Sequence, residues 1–246
     1  MEHLLNNMRR IIPSSWFRQL QPIYHGSLAC LGSIIYRNPS QHIKVIAVTG
    51  TKGKSSTTEL INTILEQAGK KTAVSNTIRF KVGYESEPNL YKMSMPGRMF
   101  MQKFIRRAVD AGCEYAVIEV TSQGALLFRH RYIDIDTFVF TNLSPEHIEA
   151  HGSYENYRAS KMSITEGMPA SKKDTTIIVN GDDKEAEHFL ARDVKKKIRY
   201  SIHDAEPYSL DNGRISFTYK GTSFTSPLSG LFNLYNILAA ITCTVN

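Results

Sequence analysis

Residues Val45–Lys70 read VIAVTGTKGKSSTTELINTILEQAGK. The apolar, β-branched run Lys44–Thr49 predicts a strand. Leu60, Ile61, Ile64, Leu65 and Ala68 then recur at helical spacing, and Gly69 stands where a C-cap belongs. Between strand and helix lie Gly50, Gly53, Lys54 and Ser55. A turn of this kind sits at the carboxyl edge of a parallel sheet. The helix N-terminus there offers unpaired N–H donors and a partial positive charge. Glycines let the backbone approach an anion, Lys54 reaches terminal phosphates, and the Ser55 hydroxyl suits a magnesium ion. The loop Thr49, Gly50, Thr51, Lys52, Gly53, Lys54, Ser55 and Ser56 is therefore expected to cradle a nucleoside triphosphate. Val48 occupies the place of the first glycine in G-x-x-x-x-G-K-[ST]. The plain alternative is a glycine turn that merely caps a helix.

Working outward, strands and helices alternate. Thr72–Ser75 predicts a second strand; Phe100, Phe104, Ile105, Ala108 and Val109 form a helical stripe that Ala111-Gly112 stops. Strands are expected at Tyr115–Val120, within Asp136–Ser144, and at Thr175–Asn180. Helices are expected at Tyr154–Glu166 and Lys184–Ala191. Such alternation predicts an α/β fold of P-loop type: a mostly parallel sheet with helices on both faces. Beyond Ile198 the texture changes. Arg214–Pro227 (RISFTYKGTSFTSP) alternates at period two around Lys220-Gly221, predicting a small antiparallel sheet near the C-terminal end. A helix is expected from Gly230. Residues 1–40 hold three of the nine prolines and the single Trp, and read as a short helical N-terminal arm packed on the domain of residues 41–246. A peripheral membrane contact through Arg9, Arg10, Trp16, Phe17 and Arg18 is the weaker reading.

The 246 residues carry a formal charge of +7, which favours anionic partners without choosing among them. No interleaved basic and aromatic motif points to nucleic acid. No run approaches the roughly 18 apolar residues of a membrane span, and no secretory signal is expected, since the first residues lack an apolar core followed by a small-residue cleavage site. Cys30, Cys113 and Cys243 are odd in number and far apart, suggesting neither a disulfide framework nor a metal knuckle and pointing to a reducing cytoplasmic compartment. Asp182, Asp183 and His151 are read as structural.

The motif Val48–Thr58 (VTGTKGKSSTT) resembles the phosphate loop of the Mur ligases and of the related folylpolyglutamate synthases. Three further stretches are similar to the Mur branch that adds the third residue to UDP-N-acetylmuramoyl-dipeptide. They are Val117–Arg131 (VIEVTSQGALLFRHR), Thr141–Lys161 (TNLSPEHIEAHGSYENYRASK) and Leu228–Ile241 (LSGLFNLYNILAAI). The resemblance implies an ATP- and Mg2+-dependent ligase of peptidoglycan-precursor synthesis. It would activate the carboxylate of a UDP-muramoyl-peptide as an acyl phosphate for attack by an amino acid. It implies that Lys54 contacts the γ-phosphate, and that Ser55, Glu119, His147 and a carbamylated Lys161 hold magnesium. Ser94, Thr121 and Arg129 would touch the muramoyl-peptide, and Asn236 the adenine side. The ligands expected are small molecules, and a monomer is expected.

Glu146 stands where the family has Asp, Thr121 replaces the first Ser of a pair, and Leu127 replaces a polar substrate contact. Only some forty residues precede the loop, and the family's C-terminal domain is expected to have no counterpart among these residues. The chain is therefore expected to bind nucleotide but to ligate poorly or not at all unaided. Two alternatives stay open: a folylpolyglutamate synthase-type ligase, and a non-catalytic nucleotide-binding module.

Overall fold

The computed structural model describes residues 14–146, 148–168 and 174–246, with side chains from residue 21 onward. Eight strands form one sheet: β1 (Lys44–Thr49), β2 (Thr72–Ser75), β3 (Arg79–Val82), β4 (Glu85–Pro88), β5 (Tyr115–Glu119), β6 (Thr137–Phe140), β7 (Thr176–Asn180) and β8 (Lys196–Tyr200). Their order is β4-β3-β2-β5-β1-β6-β7-β8. The six strands from β2 to β8 in that order run parallel, while β3 and β4 turn back as an antiparallel hairpin at one edge. β1 lies between β5 and β6, so the chain passes from one side of β1 to the other between those two strands. Ligands of open α/β sheets bind in the crevice at the carboxyl ends where such a reversal occurs.

Alternate residues of the central strands enter two cores. Val45, Ala47, Ala116, Ile118, Phe138, Phe140, Ile177 and Val179 face one layer. There they meet Met101, Phe104 and Ile105 of the helix Arg98–Asp110, and Tyr157 of the helix Tyr154–Met162. Ile46, Val48, Val117, Val139 and Ile178 face the other, against Ile61 and Leu65 of the helix Lys54–Gln67 and Leu234 and Leu238 of the helix Leu231–Thr244. Burial on both faces is why these strands read as unbroken apolar runs rather than alternating ones. The second core also takes in Ile215, Phe217 and Tyr219 from a three-stranded antiparallel sheet of β9 (Tyr208–Ser209), β10 (Ile215–Tyr219) and β11 (Thr222–Ser226).

The expected α/β fold with its small antiparallel sheet is therefore present. The turn at Lys220-Gly221 has both residues at positive φ, as a two-residue hairpin turn needs. Some boundaries differ. The helix at Tyr154 ends at Met162 and continues as a 3-10 segment, Ser163–Gly167. The helix expected at Lys184–Ala191 shortens to Ala186–Leu190. Strands β3, β4, β8 and β9, and the short helices Ser122–Leu126 and Ile148–His151, were not expected. Within residues 1–40 the helix Ser14–Ile35 is described, and it packs on the helix Arg98–Asp110. Gly32 lets the two backbones close up: a Cβ there would stand 3.1 Å from the Met99 sulfur. The side chains of Arg9, Arg10, Trp16, Phe17 and Arg18 lie outside the described residues. No helix among the described residues is long and apolar enough to cross a membrane.

Candidate nucleotide site

The glycine loop leaves β1 at Thr49 and enters the helix Lys54–Gln67 with Gly53 as N-cap, at φ 80°. Both of its glycines are demanded by protein neighbours. A Cβ on Gly53 would fall 2.2 Å from Asn236 Oδ1, and one on Gly50 would fall 2.0 Å from Thr141 Oγ1. The loop's outer limb is clasped by the Thr141-Asn142 pair that follows β6. The Lys52 N–H donates to Asn142 Oδ1 at 2.9 Å, Asn142 Nδ2 donates to the Lys52 carbonyl at 3.0 Å, and Thr141 Oγ1 donates to that carbonyl at 2.8 Å. The Thr51 N–H donates to the Asn142 carbonyl at 2.8 Å. These bonds hold the loop without a ligand, which lowers the ordering cost of binding.

Register then delivers the carboxylate. Val48 pairs with Glu119 across β1 and β5, which puts Glu119 beside the loop at the sheet's carboxyl edge. Glu119 is 2% exposed. A buried carboxylate needs donors, and three converge on it: Ser55 Oγ at 2.7 Å, the Thr77 N–H at 3.1 Å and Thr77 Oγ1 at 3.0 Å. Sequence reading missed Thr77. It sits just past β2, and nothing local in the sequence marks it.

Two lysines complete the cluster. Lys54 Nζ folds back to the Thr51 carbonyl at 2.8 Å. Burial draws its ammonium below the usual lysine range, and the Glu119 and Glu146 carboxylates oppose that shift. Lys161 is 1% exposed, and its Nζ donates to the Gly50 carbonyl at 2.7 Å. The same nitrogen lies 4.9 Å from the centre of the Tyr157 ring. Burial first, then the Lys54 charge, holds the Lys161 amine well below the ordinary lysine range, against the pull of Glu119 and Glu146. Tyr157 was missed although it precedes Lys161 by four residues, the spacing that stacks two side chains on one helix face. Its hydroxyl also meets Thr51 Oγ1 at 3.1 Å.

The other expected residues spread around this core. Thr49 Oγ1 donates to the Val120 carbonyl at 2.8 Å, tying β1 to β5. Lys52 reaches Glu146 at 3.4 Å on the surface. Ser56 lies exposed in the first helical turn. Asn236, 4% exposed, sits beneath the loop and takes a hydrogen bond from Thr57 Oγ1 at 3.3 Å. Thr121 Oγ1 caps the helix Ser122–Leu126 by accepting from the Gly124 N–H at 3.0 Å. Arg129 Nη1 donates to the Met95 carbonyl, beside Ser94. The Ser94 hydroxyl is buried with no partner. His147 lies outside the described residues. Asp182 and Asp183 hold turns: Asp182 accepts from the Ile202 N–H and Tyr235 Oη, and Asp183 from the Leu143 and Glu185 N–H groups.

Among the described residues, no three His, Cys, Asp or Glu side chains gather. Ser55 and Glu119 nonetheless present adjacent hard oxygen donors. That set fits magnesium, which binds through one or two carboxylates plus substrate phosphates rather than an all-protein cage.

Sequence comparison decides the lineage of this arrangement. A family model described as the Mur ligase middle domain matches residues 48–244. This chain belongs to the Mur ligase family. The Mur ligase chain is 35% identical over 231 residues to a UDP-N-acetylmuramoyl-L-alanyl-D-glutamate–2,6-diaminopimelate ligase of Syntrophomonas wolfei, covering 89% of the chain and 46% of that relative. It thus spans about half the length of the curated relatives it matches. A solved structure of a ligase with the same description superposes with a TM-score of 0.68 at 25% identity, over 82% of this chain and 43% of that one. The apo form of L. casei FPGS superposes equally well, with a TM-score of 0.68, at 17% identity over 88% of this chain and 61% of that one. At that identity the likeness concerns the fold alone.

Proposed function

We propose that this Mur ligase chain is the nucleotide-binding part of an ATP-dependent carboxylate–amine ligase of peptidoglycan-precursor synthesis. The acceptor we propose is UDP-N-acetylmuramoyl-L-alanyl-D-glutamate, named for the relatives and extended to this chain through the shared motifs. We further propose that residues 41–246 form one domain carrying residues 1–40 as an arm. The observation that carries the reading is the convergence of Lys54, Ser55, Glu119 and Lys161, from three separate segments, on one glycine loop.

The chemistry follows from that convergence. An oxygen of the acceptor carboxylate attacks the γ-phosphorus of ATP; ADP leaves and an acyl phosphate forms. The amine nitrogen of the incoming amino acid then attacks the acyl carbon, phosphate leaves, and the nitrogen loses a proton. Negative charge accumulates on the transferred phosphoryl group, and fixed cations and N–H donors aimed at it lower the barrier. Lys54 supplies the cation and the N–H groups after Gly53 supply the donors. Ser55 and Glu119, with His147 and Lys161 as its carbamate, would hold magnesium. When bound, magnesium neutralises charge on the β- and γ-phosphates. Only a neutral amine adds to carbon dioxide: the nitrogen bonds the carbon and a proton leaves to solvent, giving a carbamate. The depressed Lys161 pKa favours that neutral form.

The test pairs calorimetry with turnover. Mg-ATP binds the purified chain, and Lys54→Ala abolishes binding. Absence of Mg-dependent ATP uptake, or no effect of Lys54→Ala, sinks the proposal. ADP release with the muramoyl-dipeptide and an amino acid mixture then measures whether this polypeptide turns over unaided.

A further inference from the structure

Ten of the described residues carry a buried side-chain nitrogen or oxygen with no hydrogen-bond partner. Three of them, His25, Arg98 and Arg129, lie close enough to feel one another's charge, and Ser94 precedes Met95, whose carbonyl Arg129 binds. Native interiors satisfy nearly all such groups, so a local concentration needs a cause. Arg129 grips the Met95 carbonyl and comes within 3.6 Å of the Met93 sulfur, in the segment that carries Ser94. Arg98 opens the helix Arg98–Asp110 three residues later. His25 comes from the helix Ser14–Ile35, which packs on that helix. The atoms without partners are both ring nitrogens of His25, the Nε of each arginine and the Ser94 hydroxyl.

The cluster is also unbalanced in charge. Among the described residues, neither Arg98 nor Arg129 has a carboxylate within ion-pair distance. Burial, then Arg98, then Arg129, drives the His25 imidazole down to about 4. Two guanidinium groups beside one imidazole, with no carboxylate paired to either among the described residues, suit a carboxylate or phosphate. His25 also lines a cavity of about 450 Å³ shared with Leu127, Phe128, His151, Asn156 and Ser160.

We propose that His25 and Arg98 extend the acceptor site around Arg129, so that the N-terminal helix itself contributes to binding an anionic group of the acceptor. The proposal rests on the ligase reading for the identity of the acceptor, but the anion site stands on the cluster alone. Sequence inspection gave no hint of it, because His25 lies in an arm with no motif and Arg98 follows a loop.

The test follows the His25 imidazole by NMR while glutarate, pyrophosphate or UDP-N-acetylmuramoyl-L-alanyl-D-glutamate is added to the purified chain. At least one shifts the His25 resonances saturably. Response to glutarate alone assigns the site to a peptide carboxylate, and response to pyrophosphate alone assigns it to the nucleotide diphosphate. Arg98→Gln weakens the responding ligand by about tenfold or more, a loss of about 1.4 kcal/mol. Arg98→Lys, which keeps the charge, weakens it less. His25→Gln gives an independent loss of affinity for the same ligand, read by calorimetry. If no anion moves His25, or if Arg98→Gln binds as tightly as the wild type while remaining folded, the proposal is overturned. Mg-ATP calorimetry on the same wild-type sample tests the ligase reading separately. Failure there with the His25 response intact would remove the ligase and leave the anion site.

Discussion

At the scale of single residues, the site depends on groups held where their isolated chemistry would not put them. Lys161 is a long cation buried against a carbonyl and an aromatic face. Replacing it with Met keeps the packing and removes the amine. The expected outcome is a folded protein that loses the carbon dioxide adduct in mass spectra and, where ligation is measurable, at least about a hundredfold in turnover, the order seen when one transition-state charge contact is removed. Gly53 is equally constrained. Gly53→Ala would force a Cβ into Asn236 at a left-handed φ, costing at least about 1–3 kcal/mol, and thermal denaturation reads that cost. His130 provides a pH signature. It is 1% exposed, its Nε2 lies 3.2 Å from the Ser163 carbonyl, and burial lowers it to about 4. The folded form binds this proton less readily than the unfolded chain, whose histidine titrates near 6.5. Stability is therefore full above about pH 6.5 and falls as pH drops toward 4, by up to roughly 3 kcal/mol. Denaturant midpoints across that window, compared with those of His130→Gln, check the sign.

Among elements, the clasp between the glycine loop and the segment after β6 sets the loop's shape. Asn142 both donates to and accepts from Lys52. Asn142→Ala removes the two bonds at a half-buried position, so the fold is expected to survive while Mg-ATP affinity falls by about tenfold, the equivalent of one net hydrogen-bond contribution. Unchanged calorimetric affinity would show that the loop holds itself. Two of the strands missed in the sequence share a physical property. All four residues of β4 are exposed, and β8 presents Lys196, Lys197 and Arg199 around Ile198. Both are edge strands, and edges protected by charge lack the apolar pattern that marks a central strand. The central strands, buried on both faces, were legible because burial itself writes the pattern.

For the molecule as a whole, ligand and fold are linked. A nucleotide that binds only the folded chain stabilises it by about 2.7 kcal/mol at a hundredfold excess over its dissociation constant. For a chain of this size that raises the melting temperature by roughly 5–10 °C. Differential scanning with Mg-ATP, and with Lys54→Ala as control, measures it; an unshifted melt for the wild type contradicts nucleotide binding at this loop.

The alternation of the central strands with the long helices, and the place of the glycine loop among them, were determined by sequence alone, because strand burial, helical spacing and glycine turns are local and leave periodic traces. Which side chains stand around that loop was decided only by tertiary structure. Lys161 meets Gly50 across 111 residues, Glu119 reaches Ser55 across 64, and Asn236 closes on Thr57 across 179. Parallel register and helix packing bring these groups together. Neither leaves a mark in the residues on either side of any one of them, so a lysine that would be solvated on an isolated helix becomes a buried amine, held well below the ordinary lysine range, only once the sheet is assembled.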